Sequence, residues 1–250
     1  MTTDNEIQLY DTVEAIAAAY ERRKAEIDRA ASVAAACNVE LKKDYPTEHK
    51  QNAWTEILDK SNARQWMSTK QESDVRRTLY DNPKDLPEIT VETFRAWLQG
   101  LVTSSPEMLQ ELCREAFEIL TPQKHAWGRD YKSNQDKREI PKSGRVVLTW
   151  MCDTDKWVTT PRLNYGAGQK LNVLDRVFSL LAKKPKPEGG QTAANLARAA
   201  SERYKSEFTT FWGRCKMHKN GNLHIWLTDA KLVKKLANIA AGKNISERAA

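Results

Sequence analysis

The chain has 250 residues, 40% of them hydrophobic and 29% charged, and a formal net charge of +7. That length is enough to bury a sizeable core as one domain or two, and no apolar run approaches the roughly 18 residues a membrane helix needs. The opening MTTDNEIQLYDTVEA carries acids early and lacks an apolar stretch with a small-residue cleavage site, so a cytoplasmic protein with no secretory signal is expected.

From the N-terminus, Leu9, Val13, Ile16, Tyr20, Ile27, Ala30, Ala34, Cys37 and Leu41 recur every three or four residues and predict one long amphipathic helix, residues 1–45. Its alanine-rich seam suits either packing on its own domain or a homodimer contact, and both readings stand. A helical region over 46–122 follows. STKQ at Ser68 has the form of a capping box, and SPEM at Ser105 predicts a fresh helix start with Pro106 in its first turn. Trp54, Ile57 and Leu58 form one apolar stripe, Val91, Phe94, Trp97, Leu98 and Leu101 a second, and Leu109, Leu112, Ala116, Phe117 and Leu120 a third.

Residues 123–144 are polar and basic and read as a long exposed loop. The remainder, 145–242, reads as a mixed unit ahead of a short tail, 243–250. RVVLTWMC is the first strand, DTDKWVTT a turn into a second, and LNVLDRVFSLLAKK a helix with Val173, Leu174, Val177, Phe178 and Leu181 inward. KKPKPEGGQ marks a break before the helix TAANLARAASERY. A strand, an Asn-Gly turn, a strand and a last helix, capped by Asp229 and ended by Gly242, close the chain. The fold class expected is α+β: a predominantly helical N-terminal part, then a small antiparallel sheet with flanking helices.

Asn220-Gly221 is the pair favoured in a two-residue type I′ turn. Such a turn pairs Met217 with His224 and Cys215 with Trp226, placing those four on one face and Leu223, Ile225 and Leu227 on the other. Neither face is then wholly polar, so a sheet partly covered on both sides is expected. His224 reads either as a satisfied core histidine or, with Lys219 and Asn222, as one wall of a cleft. Asp175 and Arg176 lie at the border of their helix's apolar face. An ion pair anchoring the helix explains them; the alternative has Asp175 orient His224 for acid–base chemistry. Cys37, Cys113, Cys152 and Cys215 are too far apart for a zinc knuckle or redox motif and read as buried thiols; no metal and no cofactor is expected. Nucleotide-binding and common hydrolase motifs are missing.

Charge is uneven. Residues 183–250 hold 14 Lys and Arg against 5 Asp and Glu, whereas residues 1–182 hold 26 against 28. A basic last third suits phosphate backbones or another polyanion, and Lys183, Lys184, Lys186, Arg214, Lys216, Lys219, Lys231, Lys234 and Lys235 are the candidate contacts.

Several phrases occur together in a known order: AWTEILDKSNARQWMSTKQESDVRRTLY, LPEITVETFRAWLQGL, KSGRVVL, LNVLDRVFSLL and FWGRCKMHKNGNLHIWL with KLVKKLANIA. The chain resembles, from about Trp54 to Ile239, the bacterial and phage domain-of-unknown-function family number 4942. Leu174-Asp175-Arg176-Val177-Phe178 and Lys219-Asn220-Gly221-Asn222-Leu223-His224 carry most of the resemblance, with Asn238. It departs where the family has a Ser- or Gly-rich segment with an aspartate and this chain has YKSNQDKREIPKSG, and at Thr228, where the family is basic. The resemblance implies a prophage, plasmid or genomic-island setting and no established reaction. Together these readings predict an accessory protein that binds nucleic acid, or a host nucleic-acid-processing or defence complex, through its basic C-terminal region. The alternative is an enzyme on nucleic acid or nucleotides using the Asp175/His224 region.

Overall fold

A computed structural model describes residues 3–37, 45–61, 63–121, 140–141, 143–153 and 160–243. Most of the basic loop expected at 123–144, with His125, lies outside those residues, as does most of DTDKWVTT. The chain forms two compact units, residues 1–105 and 106–250.

In the first unit, α1 (Thr3–Ala36) packs on α2 (Tyr45–Lys60). Ile16, Ala17 and Tyr20 of α1 and Ala53, Trp54, Ile57 and Leu58 of α2 are buried. The expected seam does not continue: past Tyr20 the helix is largely exposed, Val33 is 64% accessible and Cys37 is exposed rather than a buried thiol. Alanine spacing marks a helical face without supplying enough apolar area to bury it. Leu41 lies outside the described residues. Ahead of α3 (Thr69–Tyr80) the Ser68 side chain accepts from Gln71 N, while Gln71 Oε1 accepts from Ser68 N at 2.9 Å, the reciprocal box expected from STKQ.

The first unit is tied by one carboxylate. Glu88 accepts from Tyr20 Oη at 3.1 Å and pairs with Lys24 Nζ at 2.6 Å and Lys50 Nζ at 3.2 Å. These groups and His49 line a cleft of about 380 Å³. The Lys24 hydrogen bond, with those from Lys50 and Tyr20, holds the Glu88 carboxyl down to about 2, against burial. The unfolded chain therefore binds this proton first as pH falls, so stability is present above the ordinary carboxylate range and is lost between about pH 4.5 and 2. Glu88→Gln is expected to flatten that acid limb and to cost about 1 kcal/mol at pH 7, small because the carboxylate is half in solvent. Urea melts from pH 2 to 7 check it; an unchanged limb would remove Glu88 from the account.

Helix α4 (Val91–Leu120) corrects the expected start at Pro106, which lies inside a continuous 30-residue helix. Proline removes one amide donor. One turn earlier the hydroxyls of Thr103 and Ser104 donate to the carbonyls of Gln99 and Gly100, both at 2.8 Å, a pattern that bends helices, and the two units divide at this point.

The second unit is built on four antiparallel strands in the order β1 (Arg145–Leu148), β4 (Leu223–Leu227), β3 (Gly213–Met217), β2 (Glu207–Thr209). One face is entirely buried: Val146, Leu148, Phe208, Cys215, Met217, Leu223, Ile225 and Leu227. They join a single cluster with Leu112, Cys113, Ala116 and Leu120 of α4 and with residues of α5 (Tyr165–Ala182), α6 (Ala193–Glu202) and α7 (Ala230–Ala240). Burial pushes the Cys113 and Cys152 thiols up to about 12 and 11, so they behave as small apolar groups. Helix α5 starts earlier than LNVLD: Asn164 caps it, accepting from Ala167 N at 2.8 Å, which makes NYGAG the cap and first turn. Asp229 caps α7 through Lys231 N and Leu232 N as expected, and Gly242 follows it at φ +75°. The result is α+β, helices first and a small antiparallel sheet with flanking helices after.

Candidate nucleic-acid interface

The hairpin exists, but its register differs from expectation by one residue. Met217 pairs with Leu223, Lys216 with His224 and Arg214 with Trp226. His218 N donates to Asn222 O at 2.9 Å, Gly221 N donates to His218 O at 3.0 Å, and of the turn residues only Gly221, at φ +86°, is left-handed. The turn therefore has three residues, Lys219 to Gly221, with glycine in the left-handed position that such loops require. A one-residue slip moves every side chain to the other face. Cys215 and Met217 thus join Leu223 and Ile225 inside, while His224 and Trp226 come out beside Arg214 and Lys216.

Among the described residues the sheet consequently has one packed face and one open face, rather than partial cover on both. Two rows of side chains cross the open face. Arg145, Trp226 and Arg214 stand opposite one another on β1, β4 and β3, with Thr209 of β2 beyond. Val147, His224, Lys216 and Glu207 form the next row. The Arg214 guanidinium sits over the Trp226 ring at 4.6 Å and that of Arg145 at 5.8 Å, so one indole carries two cations. Gly213 permits the strands to close here: a Cβ would lie 2.7 Å from Trp226 O.

His224 is half-buried between rings, its centroid 4.0 Å from His218 and 5.8 Å from Trp226. Arg145 Nη2 lies 3.3 Å from His224 Nδ1. Burial first, then the positive surroundings of His218, Arg145 and Lys216, lower the His224 pKa to about 4. The ring is neutral at pH 7 and serves as a hydrogen-bonding and stacking group among fixed cations. Lys216 Nζ pairs with Glu207 Oε1 at 2.7 Å.

Asp175 is elsewhere. Its carboxylate is 1% exposed and accepts from Trp212 Nε1 and from Ala193 N, both at 2.7 Å. It belongs to the helical layer beneath the packed face, where Trp212 stacks on Phe178 at 5.6 Å. The carboxylate–imidazole pair with His224 is therefore not formed, since the sheet stands between the two side chains. Arg176, expected at a border, is buried at 8%. Asn222 contributes backbone to the turn, its carbonyl also meeting Cys152 Sγ at 3.5 Å.

The nine basic candidates come from three places in the C-terminal unit: β3 with its hairpin tip, the end of α5, and α7. Arg214 and Lys216 lie on the open face and Lys219 is exposed at the hairpin tip. Lys183, Lys184 and Lys186 follow the end of α5, Lys184 lying 5.5 Å over the Phe211 ring. Lys235 caps that same helix end through Leu181 O at 2.8 Å, while Lys231 and Lys234 are exposed on α7. Sequence reading missed Arg145, His218 and Trp226 as site residues. Their signal was the alternation of RVVL and LHIWL read with a three-residue turn.

Fold and site define an α+β protein whose C-terminal unit, among the described residues, presents one open, cationic and aromatic sheet face. The chain belongs to the family described as Domain of unknown function (DUF4942), whose model matches residues 47–246. No curated protein and no solved structure matches it. Among the described residues no helix is long and apolar enough to cross a membrane.

Proposed function

We propose that this chain is a nucleic-acid-binding accessory protein of a mobile element and that the open face of its C-terminal sheet makes the contact. The observation that carries the reading is the row Arg145–Trp226–Arg214, in which two guanidiniums are held on one indole. The indole holds both guanidiniums at this face, and their remaining N–H groups suit phosphate oxygens, which arginine favours as bidentate partners. Lys216 adds a third cation, and Glu207 is the acid on this face among the described residues. The mobile-element setting is supported by the family resemblance.

The test is fluorescence anisotropy with a labelled 20-nucleotide DNA or RNA between 50 and 200 mM KCl. Three phosphate contacts predict a log–log slope of about −2 to −3. A salt-independent signal, or no binding to any DNA or RNA, overturns the reading.

A further inference from the structure

We infer that the nucleic acid bound at the open face is single-stranded and that Trp150 and Tyr165 stack its bases at the hairpin end of the sheet. The inference rests on the nucleic-acid reading above and specifies the substrate class of that site.

Trp150 follows β1 and is 65% exposed; Tyr165, the first residue of α5, is 84% exposed. The backbone brings them together, because Asn164, next to Tyr165, donates from Nδ2 to Trp150 O at 2.7 Å and from its own amide to Met151 O at 3.1 Å. Both adjoin the hairpin tip, since Met151 N and Cys152 N donate to Gly221 O at 2.8 and 3.0 Å. Trp150 also holds φ at +58°, a conformation bulky residues rarely take. A large ring is thus carried into solvent on a backbone bonded from two sides, where glycine would fit with less strain.

Charge alone would suit a duplex equally well. Shape separates the two. A duplex major groove, about 12 Å wide, admits a helix or a two-stranded ribbon, whereas four strands about 4.8 Å apart form a face too broad to enter it. Exposed aromatic planes also find no partner in a duplex, whose bases are stacked on one another; unstacked bases of a single strand supply one. Along β4, outward residues lie about 6.8 Å apart, so Trp226 and His224 lead stepwise towards the tip and Trp150. Phosphates follow Arg145, Arg214, Lys216 and Lys219, and bases turn to the rings.

The experiment compares the full chain binding a labelled 12-nucleotide oligothymidylate and oligouridylate with a 12-base-pair duplex at equal salt. The single strands are expected to bind at least about tenfold more tightly than the duplex. Trp150→Ala and Tyr165→Ala should each weaken single-strand binding about 5- to 50-fold with the salt slope unchanged, and Trp150→Phe should restore most of it. Duplex binding as tight as single-strand binding overturns the inference. So does wild-type affinity in both alanine variants while Arg214→Ala still binds weakly, and that pattern leaves the nucleic-acid reading intact. No binding to either form removes both. If Trp150→Ala melts below the assay temperature, Tyr165→Ala carries the same test.

Discussion

Asp175→Ala is expected to unfold the C-terminal unit or bring it close to unfolding at 25 °C. The carboxylate is the acceptor for two buried donors, the indole N–H of Trp212 and the amide that opens α6. Truncation leaves both without a partner in an apolar layer, at about 1–3 kcal/mol each, and opens a cavity. The sum of about 3–5 kcal/mol is a large share of a domain's typical 5–15 kcal/mol. Asp175→Asn keeps the shape but turns an amide N–H towards one donor, and about 2 kcal/mol is expected. Burial raises the Asp175 pKa, so the folded state holds this proton more tightly than the unfolded chain. Its contribution to stability is largest at low pH and declines as pH rises above the usual carboxylate range, opposite in sign to Glu88. Denaturant melts of both variants check the magnitudes, and a double-mutant cycle with Trp212→Phe should show coupling of about 1–2 kcal/mol. Independent effects would mean the Asp175–Trp212 bond does not hold the layer.

The second large effect is on binding. Arg145→Ala with Arg214→Ala should lower affinity for single-stranded nucleic acid about 100-fold and reduce the salt slope by about 1.4, because each guanidinium engages about one phosphate. Lys231→Ala with Lys234→Ala removes the same charge from α7 and should change affinity less than threefold, because long-range terms are screened within about 10 Å at 0.1 M salt. Equal losses from the two pairs would make net charge, not the open face, the source of affinity. Stability should change little in either case, since Lys231 and Lys234 are exposed on α7 and Arg145 and Arg214 are exposed beside Trp226.

Local chemistry was legible in the residues. Ser68 and Gln71 form their box, Asp229 caps α7, and Leu174, Val177, Phe178 and Leu181 are buried as their spacing indicates. Long-range choices were less so. Asn-Gly is compatible with a two- or a three-residue turn, and only the packing of Cys215, Met217, Leu223 and Ile225 against helices from elsewhere selects the register. Pro106 resembles a helix start, yet α4 runs through it. Asp175 looked like a surface partner for a cation because its two donors lie 18 and 37 residues away. The basic last third was visible from composition, but composition does not separate Arg214 on the open face from Lys235, whose ammonium caps a helix.

Chemical-shift mapping on the labelled protein tests the central claim most directly. Titration with a 12-nucleotide single strand should move the amide and side-chain signals of Arg145, Arg214, Lys216, His224 and Trp226 and leave those of Lys231 and Lys234 in place. Shifts confined to α7 and the end of α5, with the sheet face undisturbed, would contradict it.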